Sequence, residues 1–177
     1  VYYLRVVSNA GYLDDFGRSN TKIFSGSWNN MFKSGFKEQN GFKFFYHHHH
    51  FEFFKHAGQT VFDYIIENAP YINYTLDTYW LQYAGVDILA TLDKVKGRIA
   101  CTHLKDYAIE YVEKDDKKEF KPVFAPVGNG NVDFVAVVQK MRECGAEYYF
   151  VEQDNAAKLE DSLGEVEQSV RYIKNHL

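Results

Sequence analysis

Apolar and polar positions along the chain change period several times, and each change marks an element. Val1 to Val7 (VYYLRVV) is dense in β-branched and aromatic residues and predicts a strand. From Ser25 to Gln39, Trp28, Phe32 and Phe36 fall four apart with Met31 beside them, an amphipathic helix that Asn40-Gly41 ends. Phe42 to His49 predicts a second strand. Thr60 is a natural N-cap for a helix carrying Val61, Phe62, Ile65, Ile66 and Ala69, stopped by Pro70. Tyr71 to Leu76 then predicts a third strand running into Asp77.

The same rhythm continues. Val86 to Val95 places Ile88, Leu89, Leu92 and Val95 on one helical face, with Gly97 as the C-cap. A fourth strand, Arg98 to Thr102, leads to His103. Asn131 caps a helix presenting Phe134, Val135, Val138 and Met141, closed by Gly145. Glu147 to Val151 is a fifth strand delivering Glu152, and Leu163, Val166, Val170, Ile173 and Leu177 predict a terminal amphipathic helix. Only Tyr107 to Pro126 breaks the pattern. Its EKDDKKEFKP core is charged and proline-bearing, so it predicts a solvated excursion loop.

Strands alternating with helices, without a hairpin signature, predict a parallel α/β chain. An open doubly wound sheet and a βα barrel both satisfy that order. A dinucleotide fold would place G-x-G-x-x-G after the first strand, and VSNAGYLDD is not that turn.

Composition narrows the partners. The chain has 177 residues, 46% of them hydrophobic, enough for one globular domain with a substantial core. Aromatic residues make up 18%, which predicts a core or pocket rich in Phe and Tyr. A net charge of −4 without a basic block argues against nucleic acid as a partner. No apolar run approaches the roughly 18 residues of a membrane span, and Cys101 and Cys144 lack metal-type spacing. A cytoplasmic setting is the expectation.

The polar residues carry the chemistry. His47-His48-His49-His50 with Glu52 follows the second strand, Asp77 the third, His103 the fourth and Glu152 the fifth. The histidine run is internal and flanked by Phe, Tyr and Glu, unlike a terminal purification tag. In a βα barrel all strand C-termini open on one face, so these residues would converge. A single Asp after a strand is an ordinary helix cap; His, Asp or Glu at four consecutive strand ends points to a site. Carboxylates with imidazole suit Mn²⁺, Mg²⁺, Co²⁺ or Zn²⁺, and such an ion can polarise a carbonyl while a flanking carboxylate takes an α-proton.

Several stretches resemble the sugar phosphate isomerase/epimerase family, the xylose isomerase-like barrels. YHHHHFEF at 46–53 is similar to its Y-H-N-H-x-x-E-F pattern, and LDTYW at 76–80 with AGVD at 84–87 to its LDxYW…AG segment. RIACTHLKD at 98–106, PVGNGNVDF at 126–134 and VEQD at 151–154 match three further motifs, in order. The resemblance implies a TIM-type barrel and metal-dependent isomerases, epimerases or dehydratases acting on sugars, inositols and polyols. It implies Asp77, His103 and Glu152 as metal ligands. For the fourth, Glu52, the carboxylate of the motif, is preferred over His47, which stands where the strand itself ends, and His47 and His49 are then expected to face substrate. Catalytic roles would fall to Glu52, Glu152 and Lys105. Substrate contacts would come from His47, His49, Trp80, Lys105, Gly128 and Gly130, with Asp154 orienting a ligand. His48 departs from the family's usual Asn.

The motifs align with strands four to eight of an eight-stranded barrel of about 250 residues. The first three strands are therefore expected to be missing, with Val1 already inside a strand, and a homo-oligomer formed through open edges is possible. The implied chemistry is α-proton abstraction giving a metal-stabilised enediolate. A dehydratase or lyase on an inosose or keto-sugar is the alternative, and a truncated inactive barrel or sugar-binding module a further one.

Overall fold

A computed structural model of the chain describes residues 2–7, 42–70, 72–114 and 117–177. The helix expected at 25–39 lies outside them. In chain order come β1 (Tyr2–Val7) and β2 (Phe42–His47), then a 3-10 turn at Phe51–Phe53. A two-residue pair, β3 (Lys55–His56) and β4 (Gln59–Thr60), leads into α1 (Val61–Asn68). Next are β5 (Asn73–Asp77), α2 (Thr78–Tyr83), α3 (Ile88–Lys94) and β6 (Ile99–Leu104). The chain closes with β7 (Asp106–Lys114), β8 (Lys117–Ala125), α4 (Phe134–Glu143), β9 (Tyr148–Val151) and α5 (Ser162–His176).

Five strands form one parallel sheet in the order β1-β2-β5-β6-β9. Each new strand joins the far side of the previous one. A doubly wound sheet would reverse direction at a switch point; among the described strands there is no reversal, which is the winding of a barrel. The sequence-based strands are recovered with ends shifted by one to two residues.

Alternation within each strand separates two faces. Tyr74 and Leu76 of β5 point outward into a core built with Phe62, Ile65, Leu92, Phe134, Val138 and Met141. Thr75 points the other way, into a cavity of about 390 Å³ that Phe45, Cys101, His103, Phe150, Val151 and Glu152 also line. Phe62 is fully buried, a burial that contributes roughly 1.5–3 kcal/mol. Helix starts are fixed by side chains, since the first amides of a helix lack internal partners. Thr60 Oγ1 accepts from Asp63 N at 3.0 Å, as expected.

Two expectations are corrected, and one element is new. Residues 107–126 are not a loop: β7 and β8 pair antiparallel, with Tyr107 opposite Phe124, Ile109 opposite Pro122 and Tyr111 opposite Phe120. The period-2 apolar pattern is present, but Glu110, Glu119 and Lys121 fill the alternate positions and give the stretch a loop's composition. α4 is capped by Asp133, whose Oδ1 accepts from Ala136 N, rather than by Asn131. The short helix α2 follows β5 directly, in a stretch to which the hydrophobic pattern had assigned no element.

Candidate metal centre

The C-terminal ends of the parallel strands carry the site because register brings them level. Asp77, the last residue of β5, pairs with His103 of β6, and His47 ends β2 opposite Thr75. Glu152 follows Val151, which pairs with Leu104. One ligand atom each from His47, Asp77, His103 and Glu152 lies within 4.8 Å of all the others.

Asp77 divides its carboxylate between structure and site. Oδ1 accepts from Trp80 N at 3.1 Å and caps α2. Oδ2 lies 3.3 Å from His47 Nε2, 3.5 Å from His103 Nδ1 and 2.9 Å from Lys105 Nζ. His103 Nδ1 also meets Glu152 Oε2, and Lys105 Nζ lies 3.1 Å from that same oxygen. Lys105, buried to 1% exposure, completes its contacts with Asp154 Oδ1 at 2.9 Å. Its backbone is pinned by the Thr78 hydroxyl, which accepts from Lys105 N at 2.9 Å and donates to Lys105 O at 2.7 Å.

The electrostatics follow from that packing. Burial alone would push the Asp77 carboxyl up, but hydrogen bonds from His103 and His47 and the Lys105 charge hold it well below the usual carboxylate range. Glu152 is lowered in the same way, against burial, by His103 and Lys105. Burial opposes the charged form of His103, yet Asp77 and Glu152 raise its basicity, and the same two carboxylates with Asp154 raise that of Lys105. His49 goes the other way, lowered to about 4 by burial and by His47.

Two imidazoles and two carboxylates converging on one point form a mixed N/O donor set suited to a borderline divalent cation. Gathering carboxylates in a buried site is unfavourable without positive charge nearby, and Lys105 supplies only one. The donor chemistry therefore fits a divalent metal ion.

Of the residues expected at the site, the structure brings together Asp77, His103, Glu152 and Lys105, with Asp154 behind them. It brings His47, and not Glu52, into the four-residue group. The 3-10 turn swings Glu52 back toward its own segment, where Oε1 accepts from Tyr46 OH at 2.6 Å and Oε2 from His49 N at 2.8 Å. The rings of His49 and Trp80 lie 5.1 Å apart, with Lys105 Nζ 5.7 Å from the Trp80 ring.

Gly128 and Gly130 are placed differently from the expectation that their amides meet substrate. Both donate to Asp106 Oδ2, at 2.8 and 2.9 Å, while Val132 N donates to Oδ1 at 3.2 Å. Gly128 has φ of 93°, and a Cβ there would run into the Tyr172 ring. These glycines serve loop packing. Asp106, next to Lys105 in the chain, is the anchor of this loop.

No family model matches the chain. A sugar phosphate isomerase/epimerase from Parabacteroides distasonis superposes with a TM-score of 0.65 at 20% identity, covering 88% of this chain and 52% of that one. A xylose isomerase domain protein from Planctomyces limnophilus gives a TM-score of 0.62 at 14% identity, covering 97% and 57%. The fold is that of the xylose isomerase-like TIM barrels. Among curated proteins, an inosose dehydratase from Clostridium perfringens is 32% identical over 116 residues, 61% of this chain and 38% of that protein. Another, from Geobacillus thermodenitrificans, is 38% identical over 90 residues, 45% and 30% of the two lengths. The chain thus spans about a third of the curated relatives and about half of these solved barrels. The resemblance implied by the motifs holds in fold to a sugar phosphate isomerase/epimerase and in sequence to inosose dehydratases. Among the described residues no helix is long and apolar enough to cross a membrane.

Proposed function

We propose that this chain carries the active-site face of a metal-dependent isomerase or epimerase acting on a carbonyl sugar or polyol. The observation that carries the reading is the convergence of His47, Asp77, His103 and Glu152 at successive strand ends. In this reading His47 replaces Glu52 as the first ligand, and His47, Asp77, His103 and Glu152 would hold Mn²⁺, Mg²⁺, Co²⁺ or Zn²⁺. Such an ion would supply Lewis acidity toward a substrate carbonyl and positive charge against the negative charge that α-proton loss develops.

The chain's own residues do the rest. Glu152, on the cavity wall with its side chain 29% exposed, removes the α-proton and returns it to the neighbouring carbon or the opposite face. Lys105, held by Asp154, donates to a substrate oxygen. His49 and Trp80 pack against the carbon face of the ring. Glu52 fixes the turn that carries His49.

A dehydratase on an inosose or keto-sugar is the second reading, favoured by the two inosose dehydratases that match in sequence. Both reactions begin with the same proton abstraction and diverge at loss of a β-hydroxyl. Incubation with Co²⁺ or Mn²⁺ and a panel of keto-sugars and inososes in D₂O, followed by NMR, separates them. Deuterium at the α-carbon with the hydroxyls intact supports the isomerase or epimerase, and an unsaturated product supports the dehydratase. Absence of metal uptake together with unchanged binding of sugars by Asp77→Ala would leave a sugar-binding module instead.

A further inference from the structure

His48 faces neither the cavity nor solvent. It is fully buried, its ring edge-on to Phe53 and Phe62 with centroids 5.6 and 5.5 Å away. Its two nitrogens reach backbone on both sides. Nε2 lies 3.1 Å from Asp77 N, and Nδ1 lies 3.2 Å from His49 O. A backbone amide only donates and a carbonyl only accepts, so the ring is neutral with its proton on Nδ1.

The location explains the contact. β2 ends at His47, whose register partner is Thr75, so the amide of Asp77 lies beyond the last residue that β2 can pair. A buried amide without an acceptor is unfavourable. The His48 ring extends the ladder by one side chain at the residue whose carboxylate enters the four-residue group.

We infer that His48 is a positioning residue for the metal centre, acting through the Asp77 main chain and tying it to His49. This rests on the metal-centre reading above. Removing the ring's acceptor frees the Asp77 backbone and lets Oδ2 drift from His47 and His103. Removing its donor loosens His49. An amide of suitable reach does both jobs, and an apolar side chain does neither.

The test uses Co²⁺ alone as the probe, with titration calorimetry and visible absorption on wild type, His48→Asn, His48→Leu and, as a second apolar replacement, His48→Met. Loss of partners that orient ligands costs about 10- to 100-fold in metal affinity. We therefore expect at least about a tenfold loss in the folded apolar variants, with an altered Co²⁺ spectrum, and near wild-type affinity in His48→Asn. Nitrogen-15 NMR of the wild-type rings, which needs no variant, is expected to show His48 protonated on Nδ1. Wild-type affinity and spectrum in a folded apolar variant, or a proton on Nε2, would overturn the inference. If wild type takes up no Co²⁺ while the ring carries its proton on Nδ1, the metal-centre reading fails, and the positioning role with it, although the two hydrogen bonds stand.

Discussion

Asp77 is the residue on which the site turns. Its carboxylate starts a helix with one oxygen and gathers His47, His103 and Lys105 with the other. Asp77→Ala removes the cap and leaves Lys105 buried with fewer counter-charges. Breaking a buried pair from one side typically costs about 3–5 kcal/mol, a loss that urea unfolding monitored by circular dichroism will register. The pH dependence has two limbs. Asp77 is depressed on folding, so its contribution is present above its unfolded value of about 4 and is lost as pH falls further. His103 is raised, so its contribution is present below about 6.5 and is lost as pH rises through the folded value. Burial holds His48 and His49 down at about 3 and about 4, so protonation below about 6.5 works against the fold at both rings, and the metal-free chain should melt highest near neutrality. A metal ligand must be neutral imidazole, so Co²⁺ should restore stability on the alkaline side and release a proton on binding. A melting temperature that rises steadily from pH 6 to 9 without metal would contradict this.

Among elements, the loop after β8 is built around one carboxylate. Asp106 is fully buried and accepts from the amides of Tyr107, Gly128, Gly130 and Val132. Each orphaned buried amide costs about 1–3 kcal/mol, so Asp106→Ala should destabilise by several kcal/mol. Hydrogen exchange at Gly128, Gly130 and Val132 should accelerate together, and protection unchanged at all three would refute the anchor. The site's main frame was legible in the sequence because His, Asp and Glu stand out at the ends of apolar strands. The fourth member of the group was not. Spacing cannot show that the turn at 51–53 carries Glu52 back to Tyr46, leaving His47 to enter the group. The hairpin was hidden for a related reason: ion-forming side chains occupy its solvent-facing positions, and composition outweighed the alternation beneath them. His48 read as one imidazole among four until its neighbours were in place.

At the scale of the whole molecule, the sheet is an arc whose last described strand, β9, pairs only with β6 among the described residues. Its inward-facing aromatics are half exposed, Tyr148 at 46% and Phe150 at 51%, and the α5 face adds Leu163 at 76%, Val166 at 42% and Val170 at 38%. Each large side chain left this open forgoes on the order of 1 kcal/mol of burial, and an unpaired strand edge is a ready template for another chain. Association would remove part of this apolar surface from water. Purified at micromolar concentration, the 177-residue chain should sediment above its 20.6 kDa monomer mass, and Phe150→Lys combined with Leu163→Lys should shift it toward monomer. The exposed hairpin aromatics, Tyr111 at 53% and Phe120 at 74%, provide the control. If Tyr111→Lys with Phe120→Lys dissociates the assembly and the β9–α5 pair does not, the hairpin is the contact and the β9–α5 surface is not. A monodisperse, cooperatively melting monomer would show that neither surface drives association.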